Sequence, residues 1–267
     1  MKRANMKYKY EIHMHTYESS ACGKTHARDY IRPLIEKGYD GIIITDHFFR
    51  GNTRPDRNLP WPEYIDEYCR GYEEAKDEAD KLGFKVFFGW EECFRPDEYL
   101  VYGLDKDWLK AHPEMTAWDH KTYYEQIRKA GGCVVGAHPF RERGYVTQVN
   151  LHPFQCDAME ACNFGNPPWQ DVLAYNFCRD RGILMTSGSD MHDVNVLEST
   201  PCGMLFDEPL NSIGDFVNCI LTGKGFTPMI PDDRRELTPE ISNTLPMFLY
   251  DENNVGRSVE MNDLFIL

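Results

Sequence analysis

The stretch Gly41-Ile42-Ile43-Ile44-Thr45-Asp46-His47 decides the fold. A strand with one wet face would alternate polar and apolar residues, whereas Ile42 to Ile44 offer no polar face at all. Such a run predicts a short strand buried on both sides, as in parallel sheets covered by helices. It ends abruptly in Thr45-Asp46-His47. In parallel α/β folds, the carboxyl edge of the strands is where sites are built.

Working outward, similar runs occur at Tyr8–Ile12, Lys85–Gly89, Tyr99–Tyr102, Cys133–Ala137, Ala158–Glu160 and Ile183–Ser187. Between them lie segments of helical period, Ala27–Lys37, Trp61–Leu82, Lys121–Ala130 and Trp169–Arg181. Glycine follows each of them, at Gly38, Gly83, Gly131 and Gly182, as helix C-termini prefer. This alternation predicts βα units around a parallel sheet. In Trp61–Leu82 the tyrosines 64, 68 and 72 form one packing stripe, which reads as scaffold. The proline-rich stretches 54–62 and 228–239 read as surface loops, and residues 1–267 read as one domain without internal repeats.

With 43 acidic and 29 basic side chains, the formal charge is −14. That surface repels long nucleic acid and favours cations, so a metal site is compatible with it. No apolar run is long enough to span a bilayer, and the basic start, residues 1–10, lacks the apolar stretch of a secretory signal. A cytoplasmic location is therefore expected. The nine cysteines are odd in number and form no CxxC pair. They fit reduced core thiols better than a disulfide framework.

The chemistry lies at the predicted strand ends. The first strand runs into Glu11-Ile12-His13-Met14-His15-Thr16, where alternation turns His13 and His15 to the same side. His47 follows the second strand, Glu91 the third, His138 a later one, and Ser187-Gly188-Ser189-Asp190-Met191-His192 the last. Imidazole and carboxylate together suit Zn, Mn or Fe ions, and five histidines with two carboxylates exceed the needs of one tetrahedral ion. Two or three divalent ions are implied, held by His13, His15, His47, Glu91, His138, Asp190 and His192. A single histidine at a strand end is usually structural, and it is the convergence on one edge that carries the reading. His112, His120 and His152 lie in polar segments away from that edge.

The motifs HxHT (His13, His15, Thr16), TDH (Thr45 to His47), GxE (Gly89 to Glu91), AHP (Ala137 to Pro139) and GSDxH (Gly188 to His192) resemble, in order, those of the polymerase and histidinol phosphatase (PHP) family. The resemblance implies an α/β fold, a distorted (β/α)7 barrel with its metals at the C-terminal ends of the strands, and hydrolysis of phosphate esters. It implies His13, His15, Glu91 and Asp190 as ligands of a first ion. Glu91 would bridge to a second ion also held by His138, and His47 and His192 would hold a third. Two family positions depart. The polar ligand usual after HxHT falls within Ser19-Ser20-Ala21-Cys22-Gly23, with Cys22 or His26 as substitutes, and a histidine usual after the third strand falls near Leu100.

Ions about 3.5–4 Å apart can activate a water and neutralise phosphoryl oxygens, so no protein nucleophile is required. Asp190 or His192 is placed to protonate the leaving group. Arg141, just after His138-Pro139, is the expected phosphate clamp unless an acidic neighbour takes it. Arg143, Arg50 and Arg54 are weaker candidates. The expected substrate is a small phosphate monoester, such as histidinol phosphate or a nucleotide. An amidohydrolase acting on C–N bonds also begins with HxH, but no lysine stands at a strand end here to bridge two ions. A nuclease should show a basic path to the metals, which the acidic composition disfavours.

Overall fold

The computed structural model describes residues 7–199 and 202–265. The strands are β1 (Tyr8–Glu11), β2 (Gly41–Ile44), β3 (Lys85–Phe94), β4 (Asp97–Tyr102), β5 (Cys133–Gly136), β6 (Val149–Leu151), β7 (Ala158–Asn163), β8 (Met185–Gly188), β9 (Met204–Phe206), β10 (Phe226–Pro228), β11 (Met247–Tyr250) and β12 (Gly256–Val259). The helices are α1 (Ile31–Glu36), α2 (Trp61–Leu82), α3 (Lys106–Ala111), α4 (His120–Lys129), α5 (Pro168–Arg181), α6 (Ile213–Thr222) and α7 (Met261–Leu264). All seven expected strands form. One large sheet runs in the order β10-β9-β1-β2-β3-β4-β5-β7-β8, and β8 packs back against β9 and β10, nearly closing a distorted barrel. A small second sheet, β12-β11-β6, lies beside it.

Strand direction needs one correction. The sheet is parallel from β1 to β3 and from β5 through β7 to β8, but β4 runs antiparallel to both of its neighbours. β3 extends past Gly89 to Phe94 and turns straight back through Arg95-Pro96, so no helix separates it from β4. The connection is too short for a crossover, and a short connection dictates an antiparallel pair.

The isoleucines of β2 behave as their sequence requires. Ile43 joins Phe87, Leu100, Val135 and Ala158 inside the barrel. Ile42 and Ile44 pack outward with Leu34, Ala75 and Ala79 of the covering helices. Burying each such side chain is worth about 1.5–3 kcal/mol. Gly41 permits the close contact at the start of this strand, since a Cβ there would stand 2.6 Å from the Tyr10 ring and 2.7 Å from the Lys85 carbonyl oxygen.

The tyrosine stripe of α2 is scaffold with a further task. Tyr64 and Tyr68 stack in the core, and the Tyr68 hydroxyl donates to the carbonyl of Asp46, tying the helix to the loop that carries His47. Gly83 and Gly182 end α2 and α5 in the left-handed conformation, which glycine adopts without penalty. Among the described residues, no helix is long and apolar enough to cross a membrane.

Candidate metal centre

All seven expected ligands meet at one end of the barrel, and their ligating atoms fall into overlapping groups. His13, His15 and Asp190 form one, His13, Glu91 and His138 a second, and His15, His47 and His192 a third. The fourth, His47, Glu91 and Glu98, contains a residue that sequence reasoning missed. Within each group the donor atoms lie within 4.8 Å of one another.

Glu91 is the hub. Its Oε1 lies 3.3 Å from His13 Nε2 and 3.3 Å from His138 Nε2. Its Oε2 lies 2.7 Å from His47 Nδ1 and 3.5 Å from His15 Nε2. Yet both Glu91 oxygens, His47 Nδ1 and His138 Nε2 are buried without a well-formed hydrogen bond. Buried polar atoms are rarely left so. His13 Nε2 and His15 Nε2 also face each other at 3.3 Å. Two imidazole nitrogens turned together need a proton or a metal cation between them. This donor set, orphaned and convergent, fits divalent metal.

The surrounding shell fixes which nitrogen is offered. Glu160 takes His13 Nδ1 at 2.9 Å, the backbone N–H of His138 at 3.1 Å and Asn163 Nδ2 at 2.7 Å. With Nδ1–H given to Glu160, the lone pair of His13 Nε2 is left for the site. Ser20 does the same for His15, whose Nδ1 lies 3.1 Å from its Oγ, while that hydroxyl donates to Asp46 at 2.6 Å and accepts the backbone N–H of His47 at 3.0 Å. Asp46 also accepts the Thr16 N–H and hydroxyl at 2.6 and 2.7 Å. The aspartate of TDH therefore holds the scaffold of the site. His192 gives Nδ1–H to the Asp190 carbonyl at 2.7 Å. Glu11 accepts the backbone N–H groups of His13 and Ser189 at 2.9 and 3.0 Å, tying the first and last motifs together.

Two of these residues carry positive φ, His138 at 32° and Asp190 at 54°. Such backbone is uncommon outside glycine and costs about 1–3 kcal/mol, a cost that clusters where side chains must be aimed. Charge is arranged accordingly. Burial opposes ionisation of Glu91, but His47 and His13 hold its carboxyl well below the usual range. Asp190 is held low in the same way, against burial, by Arg141 and His13. Burial, with Glu91 adding repulsion, pushes Glu98 up to about 8.

Glu98 answers one departure from the family pattern. Its carboxylate lies 3.4 Å from His138 Nε2 and 3.6 Å from His47 Nδ1. It shares a strand face with Leu100, two residues on, which is buried inside the barrel beneath it. Because β4 runs backwards, its N-terminal end meets the site. The other departure resolves in part: Cys22 contacts His47 and His192, which pull its thiol down to about 6 against the opposing effect of burial. His26 instead pairs with Glu18 at 2.6 Å. His112 bonds the Trp108 carbonyl, His152 bonds Asn254, and His120 is packed among aromatic rings, all three outside the metal-ligand groups.

Arg141 lies at the rim but is largely committed. It donates to Asp190 Oδ2, to Asn163 at 3.1 Å and to Asn166 at 2.9 Å, leaving Nη1 without a protein partner among the described residues. Arg143 bonds the Glu142 and Gly165 carbonyls. Arg54 bonds the carbonyls of Ser20, Ala21 and Gly23. A cleft of about 950 Å³ opens on the site and is lined by His47, Glu98, Asp190 and His192, together with Arg141 and Arg50.

No family model matches the sequence, and no curated protein matches it. Among solved structures, the chain is similar to a two-domain protein from Bacteroides vulgatus containing a predicted PHP-like metal-dependent phosphoesterase. The TM-score is 0.57 at 15% identity, covering 84% of this chain and 65% of that one. The chain thus spans just under two-thirds of that protein's length. Two other matches are a protein from Bifidobacterium adolescentis put forward as a metal-dependent phosphoesterase (TM-score 0.49, 16% identity, 81% and 99% of the two chains) and an amidohydrolase from Chromobacterium violaceum with bound sulfate and no metal (0.47, 14%, 79% and 96%). The fold is PHP-like, a distorted barrel with a histidine and carboxylate rim at one end.

Proposed function

We propose that this chain is a metal-dependent phosphoesterase that hydrolyses a small phosphate monoester, of the histidinol phosphate or nucleotide kind, using two or three divalent ions such as Zn, Mn or Fe. The observation that carries this is Glu91, whose two buried oxygens stand among four imidazoles without a hydrogen bond. Bound there, divalent ions supply Lewis acidity to a phosphoryl oxygen and bring the pKa of an attacking water toward neutrality.

The chain's own residues do the rest. Arg141 holds Asp190 in place and turns its remaining Nη1 toward a phosphoryl oxygen, acting as clamp and positioner together. Of the two expected proton donors, His192 is the better supported. Asp190 stays a carboxylate, engaged by Arg141 and by His15 at 3.0 Å, whereas His192 lines the cleft with Nδ1 held by the Asp190 carbonyl and its ring against Cys22. Its Nε2 can give the leaving alkoxide a proton only with the ring protonated and no ion on that nitrogen, so His192 serves as donor where two ions, not three, are bound. A C–N hydrolase of the amidohydrolase kind is less favoured, since no lysine lines the cleft among the described residues.

The test is a panel of phosphomonoesters, phosphodiesters and amides, assayed with each of the three metals, with His13→Ala and Asp190→Asn as controls. Phosphate release from monoesters, lowered at least about a hundred-fold in both variants, is expected. No release with any metal would overturn the reading, and turnover of diesters alone would favour a nuclease.

A further inference from the structure

Four arginines line the cleft of a chain whose net charge is −14: Arg50, Arg57, Arg95 and Arg141. Arg141 is explained by Asp190. The other three are not. Among the described residues, no carboxylate forms an ion pair with any of them. Glu92 accepts the backbone N–H of Arg50 at 3.1 Å, not its guanidinium. Carbonyl oxygens hold the Arg50 head instead, at 2.9 Å from Met115 and 2.6 Å from Trp118, and it lies 4.4 Å over the Phe94 ring. Arg57 is held in the same way by the carbonyls of Phe49 and Gly51. Arg95 stands exposed in the turn between β3 and β4. Two of the three cations are therefore pre-ordered by carbonyl oxygens, and Glu92, a buried acid that feels both Arg50 and Arg57, makes no ion pair with either among the described residues.

A single phosphate does not account for them. The cleft, at about 950 Å³, is at the upper end of small-molecule sites and far larger than a phosphoryl group. We propose that the substrate carries a second anionic group, a carboxylate or a second phosphate, seated on Arg50, Arg57 and Arg95. This rests on the phosphoesterase reading of the metal end and narrows its substrate class. Guanidinium forks match either oxyanion, and a charge-assisted contact holds it more tightly than a neutral one.

The test measures binding without turnover. Metal-loaded protein is titrated calorimetrically with propylphosphonate, 3-phosphonopropionate and propane-1,3-bisphosphonate. At least one of the two doubly anionic probes is expected to bind about ten-fold more tightly than propylphosphonate, and which one does so identifies the second group. Arg95→Gln, which removes no backbone contact, and Arg57→Gln are each expected to pull that ratio toward one. Probes that bind within two-fold of one another, no binding by any, or a ratio unmoved in both variants would overturn the proposal. Because nothing is hydrolysed, this result is independent of the phosphate-release assay: a missing ratio with intact turnover sinks the second anion alone, and a ratio without turnover sinks the reaction alone.

Discussion

At the residue scale, the site is a set of paired commitments: each ligating group has one atom tied down by the protein and another left open. His13 is tied by Glu160, His15 by Ser20, His192 by the Asp190 carbonyl. Glu98 is the residue whose role is most exposed to test. Glu98→Gln keeps the shape of the side chain and removes the carboxyl that would ionise on binding a cation beside His47 and His138, so the chain should retain about one metal equivalent fewer after dialysis, with affinity for that ion down about 10–100-fold. Chelator competition checks this, and an unchanged stoichiometry would remove Glu98 from the site. The convergence of the seven sequence-derived candidates was legible because nearly all of them follow an apolar run that marks a strand end. Glu98 was not, since it opens a strand, and the ligand pattern of a parallel sheet looks only at strand ends. Glu160 did have a signal, a carboxylate closing the run Ala158–Glu160, which passed unused because no motif contained it.

At the element scale, strand positions follow from apolar runs and helix ends from glycines, and α2 forms over the expected residues 61–82. Strand direction is not encoded locally. It depends on whether a connection is long enough to cross the sheet, and the β3–β4 turn is not. β6, β9, β10, β11 and β12 were also missed, being three or four residues long with little alternation to read. The start of α4, close to β4 and to the loop after β6, carries a pH-sensitive joint. His120 is buried, neither ring nitrogen has a hydrogen-bond partner, and its ring lies 4.0 Å from that of Tyr99 and 4.7 Å from that of His152. Burial, helped by the neighbouring His152, pushes its imidazole down to about 3. The unfolded chain takes up this proton near pH 6.5 and the folded chain does not, so stability falls as pH drops from 6.5 toward 3. His120→Phe keeps the ring packing without the titration. It should flatten the acid limb of a denaturant-derived stability curve by roughly 2 kcal/mol at pH 5, relative to its own value at pH 8. Parallel curves for the two proteins would show that His120 is not the source.

At the scale of the whole molecule, the barrel gathers buried charge that an apolar interior would not tolerate by itself. Glu11, Glu91 and Glu160 are at most 1% exposed, as are His13 and His15, yet they sit where the strands from the two ends of the sequence meet. The first strand and the last motif are joined through Glu11, so the site forms only when the sheet closes. Such an arrangement has a function in view only if cations complete it, and that is the central claim. Its most direct test is the metal content of the purified chain after incubation with zinc or manganese and exhaustive dialysis, measured by inductively coupled plasma mass spectrometry. At least two equivalents are predicted for the native chain, with a loss of about one or more in His13→Ala of unchanged circular dichroism. Less than one equivalent in a fully folded native protein, with either metal, would contradict the account.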